Sequence, residues 1–188
     1  MSIRGQLWPI LVRNKLKINS QLFEIFKTFP FSIQAGVKLS DSHSSIIEKD
    51  IPRTFPDLNE FFAQIESIGD SLREVLTAFK SMRPDVGYCQ GMSHVVGMLL
   101  LHCGPPQECF KVFCNLHTSS IINDFHSFNF NKINGAYKVF WRLLSESCPK
   151  LHARLIDEDM FSCSIFFLEW MITLYSTLEI DVAAYIWD

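Results

Sequence analysis

The chain has 188 residues, is 48% hydrophobic and carries a formal net charge of −3, which suffices for one substantial core and points to a single domain. Its 17 Lys and Arg are scattered, without the dense basic block that binding a phosphate backbone requires, so a nucleic-acid partner is not expected. The six cysteines (Cys89, Cys103, Cys109, Cys114, Cys148 and Cys163) form no CxxC pair and sit mostly in apolar helical patterns, as reduced core thiols do and as disulfide or zinc frames do not.

Helical spacing dominates from end to end. Residues 29–45, FPFSIQAGVKLSDSHSS, read as an irregular connection. Ser45 and Glu48 then have capping-box spacing, so a short helix is predicted from near residue 44 to just before Pro52. Arg53 lies past its end, framed by Pro52 and Pro56, which stiffen the backbone on either side. In DSLREVLTAFKSM, the residues Leu72, Val75, Leu76, Phe79 and Met82 share one face, with Ser71 and Glu74 as the capping box.

Next comes RPDVGYCQGM, a tight connection whose Pro84, Gly87 and Gly91 demand special backbone geometry, with Gln90 at its tip. GMSHVVGMLLLHC reads as a mostly buried helix halted by Gly104, Pro105 and Pro106. QECFKVFCNLH places Phe110, Phe113 and Cys114 or Leu116 on a stripe, and NGAYKVFWRLLSESC turns Tyr137, Phe140, Trp141 and Leu144 inward. SIFFLEWMITLYS and DVAAYIWD supply the last two helices. VVGMLLLHC is too short to span a bilayer and Glu169 interrupts the other apolar run, so both read as buried helices. The chain stops inside a predicted helix, with no stop signal after Trp187 and Asp188, and is read as part of a longer one. The fold class expected is all-α, one domain of stacked helices.

Taken singly, Arg53 reads as a surface ion-pair residue, Gln90 as a capping residue and Tyr88 as a packing residue. Together, Arg53 and Gln90 are the two groups that phosphoryl transfer from a nucleoside triphosphate most needs. A guanidinium offers a planar, permanently charged fork to phosphate oxygens, and an amide both donates to and accepts from an attacking water. No GxxxxGK[ST] loop occurs in the sequence, so the nucleotide must arrive in a partner.

At these residues the sequence resembles the TBC domain family, the all-helical activators of Rab GTPases. Ile47, Asp50 and Arg53 match its arginine-finger motif I-x-x-D-x-x-R, and Tyr88, Gln90 and Gly91 its glutamine-finger motif Y-x-Q-G. RGQLWPILVRN resembles the N-terminal R-G-x-x-W segment through Trp8. LEIDVAAYIWD resembles the later L-x-x-D-x-x-x-x-I-W-D block through Leu178, Asp181, Ile186, Trp187 and Asp188. The resemblance runs over essentially all of residues 1–188.

It implies that Arg53 neutralises charge on the phosphoryl group of a GTP-loaded Rab and that Gln90 orients the attacking water. Asp50 would hold Arg53, while Tyr88 and Gly91 would shape the loop presenting Gln90. GTP and Mg²⁺ would be held by the Rab, with no cofactor or metal of this chain's own. It further implies a role in vesicle trafficking and a cytoplasmic location, peripheral on endomembranes through the Rab or through flanking regions outside this sequence. Because family domains continue past the I-W-D block, the domain is expected to be incomplete at its C-terminal end. Tyr185 stands where the family often has arginine, a change expected to bear on packing or partner contacts. The alternative is a Rab-binding effector or scaffold without catalysis. A hydrolase built on Cys89 has no histidine placed beside it, and His94, one helical turn beyond Gln90, reads as an ordinary hydrogen-bonded helix residue.

Overall fold

The computed structural model describes residues 3–28, 42–55, 68–158 and 165–188. Their regular structure is helical throughout: α1 (Ile3–Val12), α2 (Ser20–Thr28), α3 (Ser42–Asp50), a 3₁₀ turn (Ile51–Arg53), α4 (Ile68–Met82), α5 (Met92–Cys103) and α6 (Pro106–Leu116). The series continues with α7 (Ser120–His126), α8 (Phe130–Ser147), α9 (Pro149–Asp157), α10 (Ile165–Thr173) and α11 (Ile180–Trp187). No strand occurs among the described residues, and none of their helices is long and apolar enough to cross a membrane.

Helices α4, α5 and α6 pack on one another at the centre. Their stripe residues Val75, Phe79, Val95, Met98, Phe110 and Phe113 are fully buried, and the rings of Phe79 and Phe113 meet at 4.7 Å. Each such side chain stabilises the fold by about 1.5–3 kcal/mol relative to exposure. Helix α2 lies on α4 and α6 and seats Phe23 against Phe110, α1 covers α5 and α6, and α10 rests on α5 and α7. In α8, Trp141 is buried as its spacing predicts, whereas Tyr137, Phe140 and Leu144 are half-buried.

Two predicted helix starts are displaced. Helix α4 already includes Ile68 and α3 already includes Ser42, so Ser71 and Ser45 lie within helices and neither is an N-cap. The glutamates of the two supposed capping boxes are used elsewhere: Glu48 accepts from Arg73 Nε at 2.7 Å, and Glu74 lies 3.7 Å from Lys27. Asp70 serves the first turn of α4 instead, where its charge complements the helix dipole. The expected irregular connection therefore ends before Ser42, and residues 29–41 lie outside the described residues.

The first and last helices meet. Asp188 accepts from Arg4 Nη2 (2.9 Å) and from Trp8 Nε1 (3.2 Å), and the rings of Trp8 and Trp187 lie 5.0 Å apart. Two segments that resemble family motifs at opposite ends of the sequence thus form one clasp. It borders an apolar cavity of about 280 Å³ lined by Leu11, Leu99, Val112, Leu116, Leu174 and their neighbours, which contains neither Arg53 nor Gln90.

Candidate functional site

Pro52 has no N–H to continue α3, and the chain tightens at once into the 3₁₀ turn. Thr54 locks this turn by donating its N–H to the Ile51 carbonyl (3.1 Å) and its hydroxyl to the Asp50 carbonyl (2.9 Å). The Arg53 side chain is 62% exposed, yet it is held at its base. Its Nε donates to the Lys49 carbonyl at 2.9 Å and its Nη2 to Asp50 Oδ1 at 3.0 Å. Nη1 has no protein acceptor among the described residues, which leaves that side of the fork open to an incoming oxygen.

Asp50 is buried, and its second oxygen, Oδ2, accepts from the Tyr88 hydroxyl at 2.7 Å. One carboxylate therefore ties the arginine turn to the glutamine loop. Burial, then the hydrogen bond to Asp50, pushes the Tyr88 phenol well above its usual pKa, so it stays a donor at any working pH.

The glutamine loop takes its shape from glycine. Gly87 (φ 69°) and Gly91 (φ 101°) adopt left-handed backbone. Gly91 is also pressed against α10: a Cβ there would lie 3.1 Å from Thr173 Cγ2 and 3.2 Å from Ile172 Cγ2. Met92 donates its N–H to the Cys89 carbonyl, closing the turn at 3.1 Å. Gln90, at the tip, is exposed, and its side-chain amide has no protein partner among the described residues.

Both arms open onto one groove of about 390 Å³, whose lining includes Asp50, Arg53, Gln90, Gly91, His94 and, from the far wall, Glu169. The five site residues singled out from the sequence are thus brought together, four of them on the groove and Tyr88 behind it. Pro56 lies outside the described residues. Cys89 is buried, which pushes its thiol up to about 12, so no nucleophilic thiolate forms. His94 departs from its expected role: its Nδ1 is buried without a hydrogen-bond partner, and burial holds its pKa below the ordinary value. Tyr185 is 78% exposed, so of the two expected effects of its departure from arginine, packing is excluded.

Several supporting residues were not legible from the sequence. Phe55 has a left-handed backbone (φ 52°) and packs closely on α5 at Gly97, where a Cβ would sit 2.7 Å from Phe55 Cε2 and 3.2 Å from Thr54 Cγ2. The one available signal was Gly97 itself, since a glycine inside a helix costs roughly 1 kcal/mol and marks a close approach. Glu169, Ile172 and Thr173 come from α10 and gave no local signal. Among the described residues no three His, Cys, Asp or Glu side chains converge as a metal site requires.

The family model for the Rab-GTPase-TBC domain matches residues 1–188. The chain is 31% identical over 204 residues to TBC1 domain family member 14 of Rattus norvegicus and to TBC1 domain family member 12 of Xenopus tropicalis, in each case across 100% of this chain and 29% of the relative. It is 29% identical over 153 residues to the Rab GTPase-activating protein eat-17 of Caenorhabditis elegans, covering 81% of this chain and 17% of that protein. The chain therefore spans less than a third of the length of these curated relatives. With the motif residues gathered on one groove and the match running from residue 1 to residue 188, the chain belongs to the Rab-GTPase-TBC domain family.

Proposed function

We propose that this chain is a GTPase-activating domain for a Rab-family small GTPase, to which it supplies Arg53 and Gln90 in trans. The observation that carries the reading is the shared groove: a tethered guanidinium with an open face and an amide with no internal partner border the same space. The printed name of the Caenorhabditis elegans relative, a Rab GTPase-activating protein, supports the same class.

Phosphoryl transfer asks the protein for positioning and charge stabilisation more than for covalent chemistry. Arg53 would turn its open Nη1 face to the oxygens of the transferring group while Nε and Nη2 stay anchored, so little side-chain entropy remains to be lost on docking. Gln90 would accept a hydrogen bond from the attacking water through its amide oxygen and so fix the water's direction. GTP and Mg²⁺ would be held by the Rab, whose chemistry this chain completes. On the same reading the protein works in vesicle trafficking and in the cytoplasm, and reaches endomembranes indirectly, through the Rab or through regions outside this chain.

The test is single-turnover GTP hydrolysis across a panel of purified Rabs, with wild type beside Arg53→Ala, Arg53→Lys and Gln90→Ala. Arg53→Ala is expected to lose about 10³–10⁵ in rate, roughly 4–7 kcal/mol of transition-state stabilisation. Lysine should not restore it, because a point charge cannot reproduce the fork. A wild-type domain that binds a GTP-loaded Rab and accelerates none would overturn the proposal in favour of a binding module.

A further inference from the structure

His94 lies in the first turn of α5, four residues after Gln90, and borders the same groove. Its ring stands edge-on to Phe55, with centroids 5.6 Å apart and planes at 79°. The two ring nitrogens differ. Nδ1 is buried and unpartnered; Nε2 is not among the buried unpartnered atoms and has no hydrogen-bond partner, so it is the polar end open to the groove.

Burial opposes the charged form, against a weaker pull from Asp50 and Glu169, so the neutral ring carries a single N–H. A proton on Nδ1 would be a buried donor without an acceptor, the rarer arrangement. The N–H therefore sits on Nε2, and Nδ1 keeps a lone pair. The fold gains nothing from this nitrogen, since a phenyl ring would keep the contact with Phe55 and bury no unsatisfied atom. An N–H donor retained at the groove at some cost to the fold is explained by a ligand that uses it.

We propose that His94 is a third partner-contacting residue, whose Nε2–H donates a hydrogen bond to an acceptor oxygen on the GTPase segment that enters the groove beside Arg53 and Gln90. This rests on the activator reading above. Unlike the two fingers, His94 contributes to holding the partner and not to the chemical step.

The experiment measures hydrolysis against domain concentration, with a Rab that responds to wild type, for wild type, His94→Phe, His94→Gln and Arg53→Ala, alongside thermal unfolding of each. His94→Phe is expected to melt no lower than wild type and to need about tenfold more domain for half-maximal rate, with the plateau rate changed by less than about twofold. His94→Gln, which returns an N–H donor, should recover most of that loss. A wild-type concentration dependence in His94→Phe overturns the inference while Arg53→Ala, still inactive, leaves the activator reading standing. A His94→Phe protein that melts lower or fails to fold assigns the imidazole a structural role and likewise overturns it. If no Rab responds to wild type, the activator reading falls and takes this inference with it.

Discussion

Removing one hydroxyl separates the anchor of Arg53 from Arg53 itself. In Tyr88→Phe the buried Asp50 carboxylate loses its 2.7 Å donor on Oδ2 and keeps only Arg53 on Oδ1. Tyr88 and Asp50 are 5% and 4% exposed, so neither water nor salt replaces the lost contact. A hydrogen bond to a charged group contributes about 1.5–3 kcal/mol, which for a domain of this size lowers the melting temperature by roughly 3–12 °C. The Arg53 side chain is 62% exposed, so its pair with Asp50 contributes only about 0–1 kcal/mol to the fold. The two substitutions should therefore have opposite signatures. Tyr88→Phe loses stability and retains activity within about a factor of ten, because Arg53 keeps its bond to Lys49. Arg53→Ala keeps its melting temperature and loses activity. Thermal unfolding with single-turnover hydrolysis on the same preparations reads both. A Tyr88→Phe protein that melts with wild type, or an Arg53→Ala protein that melts as low as Tyr88→Phe should, would refute the reasoning.

Gly97→Ala puts a methyl 2.7 Å from the Phe55 ring, on a segment held by a left-handed backbone, so Phe55 and the adjoining Arg53 turn must shift. The expected cost is about 1–3 kcal/mol by denaturant unfolding, with a fall in hydrolysis rate larger than the fall in Rab affinity; wild-type rates would show that the turn is positioned without this contact. Pro52→Gly should lower the rate and change Rab affinity less, because the freed backbone must be ordered at docking, and an unchanged rate would remove proline stiffening from the account. Acid should act through the buried pair His117 and His126, which share a 2.7 Å ring-nitrogen contact. Burial first, and the neighbouring His126 second, push His117 down to about 3, while an unfolded histidine titrates near 6.5. A folded pKa below the unfolded one means this contribution is fully present above about pH 6.5 and is lost as pH falls from there towards 3, roughly 2–3 kcal/mol by about pH 4.5. His117→Gln should flatten that slope in denaturant melts across the same range, and an unchanged slope would assign the acid sensitivity to other groups.

What the sequence made legible was local. Pro52 ends α3 by removing a donor, and Gly87 and Gly91 reach backbone angles other residues avoid, so each arm of the site could be placed within a few residues. The amphipathic stripe of α4 was equally plain, because Leu72, Val75, Leu76 and Phe79 repeat at the helical period and all are buried. The helix starts were misplaced where a local rule competed with a distant partner: Ser45 and Glu48 have capping-box spacing, but Glu48 is taken by Arg73, 25 residues away.

The junction of the two arms was invisible for the same reason. Nothing near Asp50 announces that its carboxylate will accept from a tyrosine 38 residues later, and nothing near Gln90 announces α10 as the wall behind Gly91. That junction depends on α4 and α5 packing correctly, because the 3₁₀ turn rests on α4 and Phe55 on α5 at Gly97. The two arms are thus locally encoded, whereas their spacing is a property of the core. Core substitutions between α4 and α5 should consequently reduce hydrolysis before they unfold the protein, since a displacement of about 1 Å at a catalytic group already costs on the order of a hundredfold in rate.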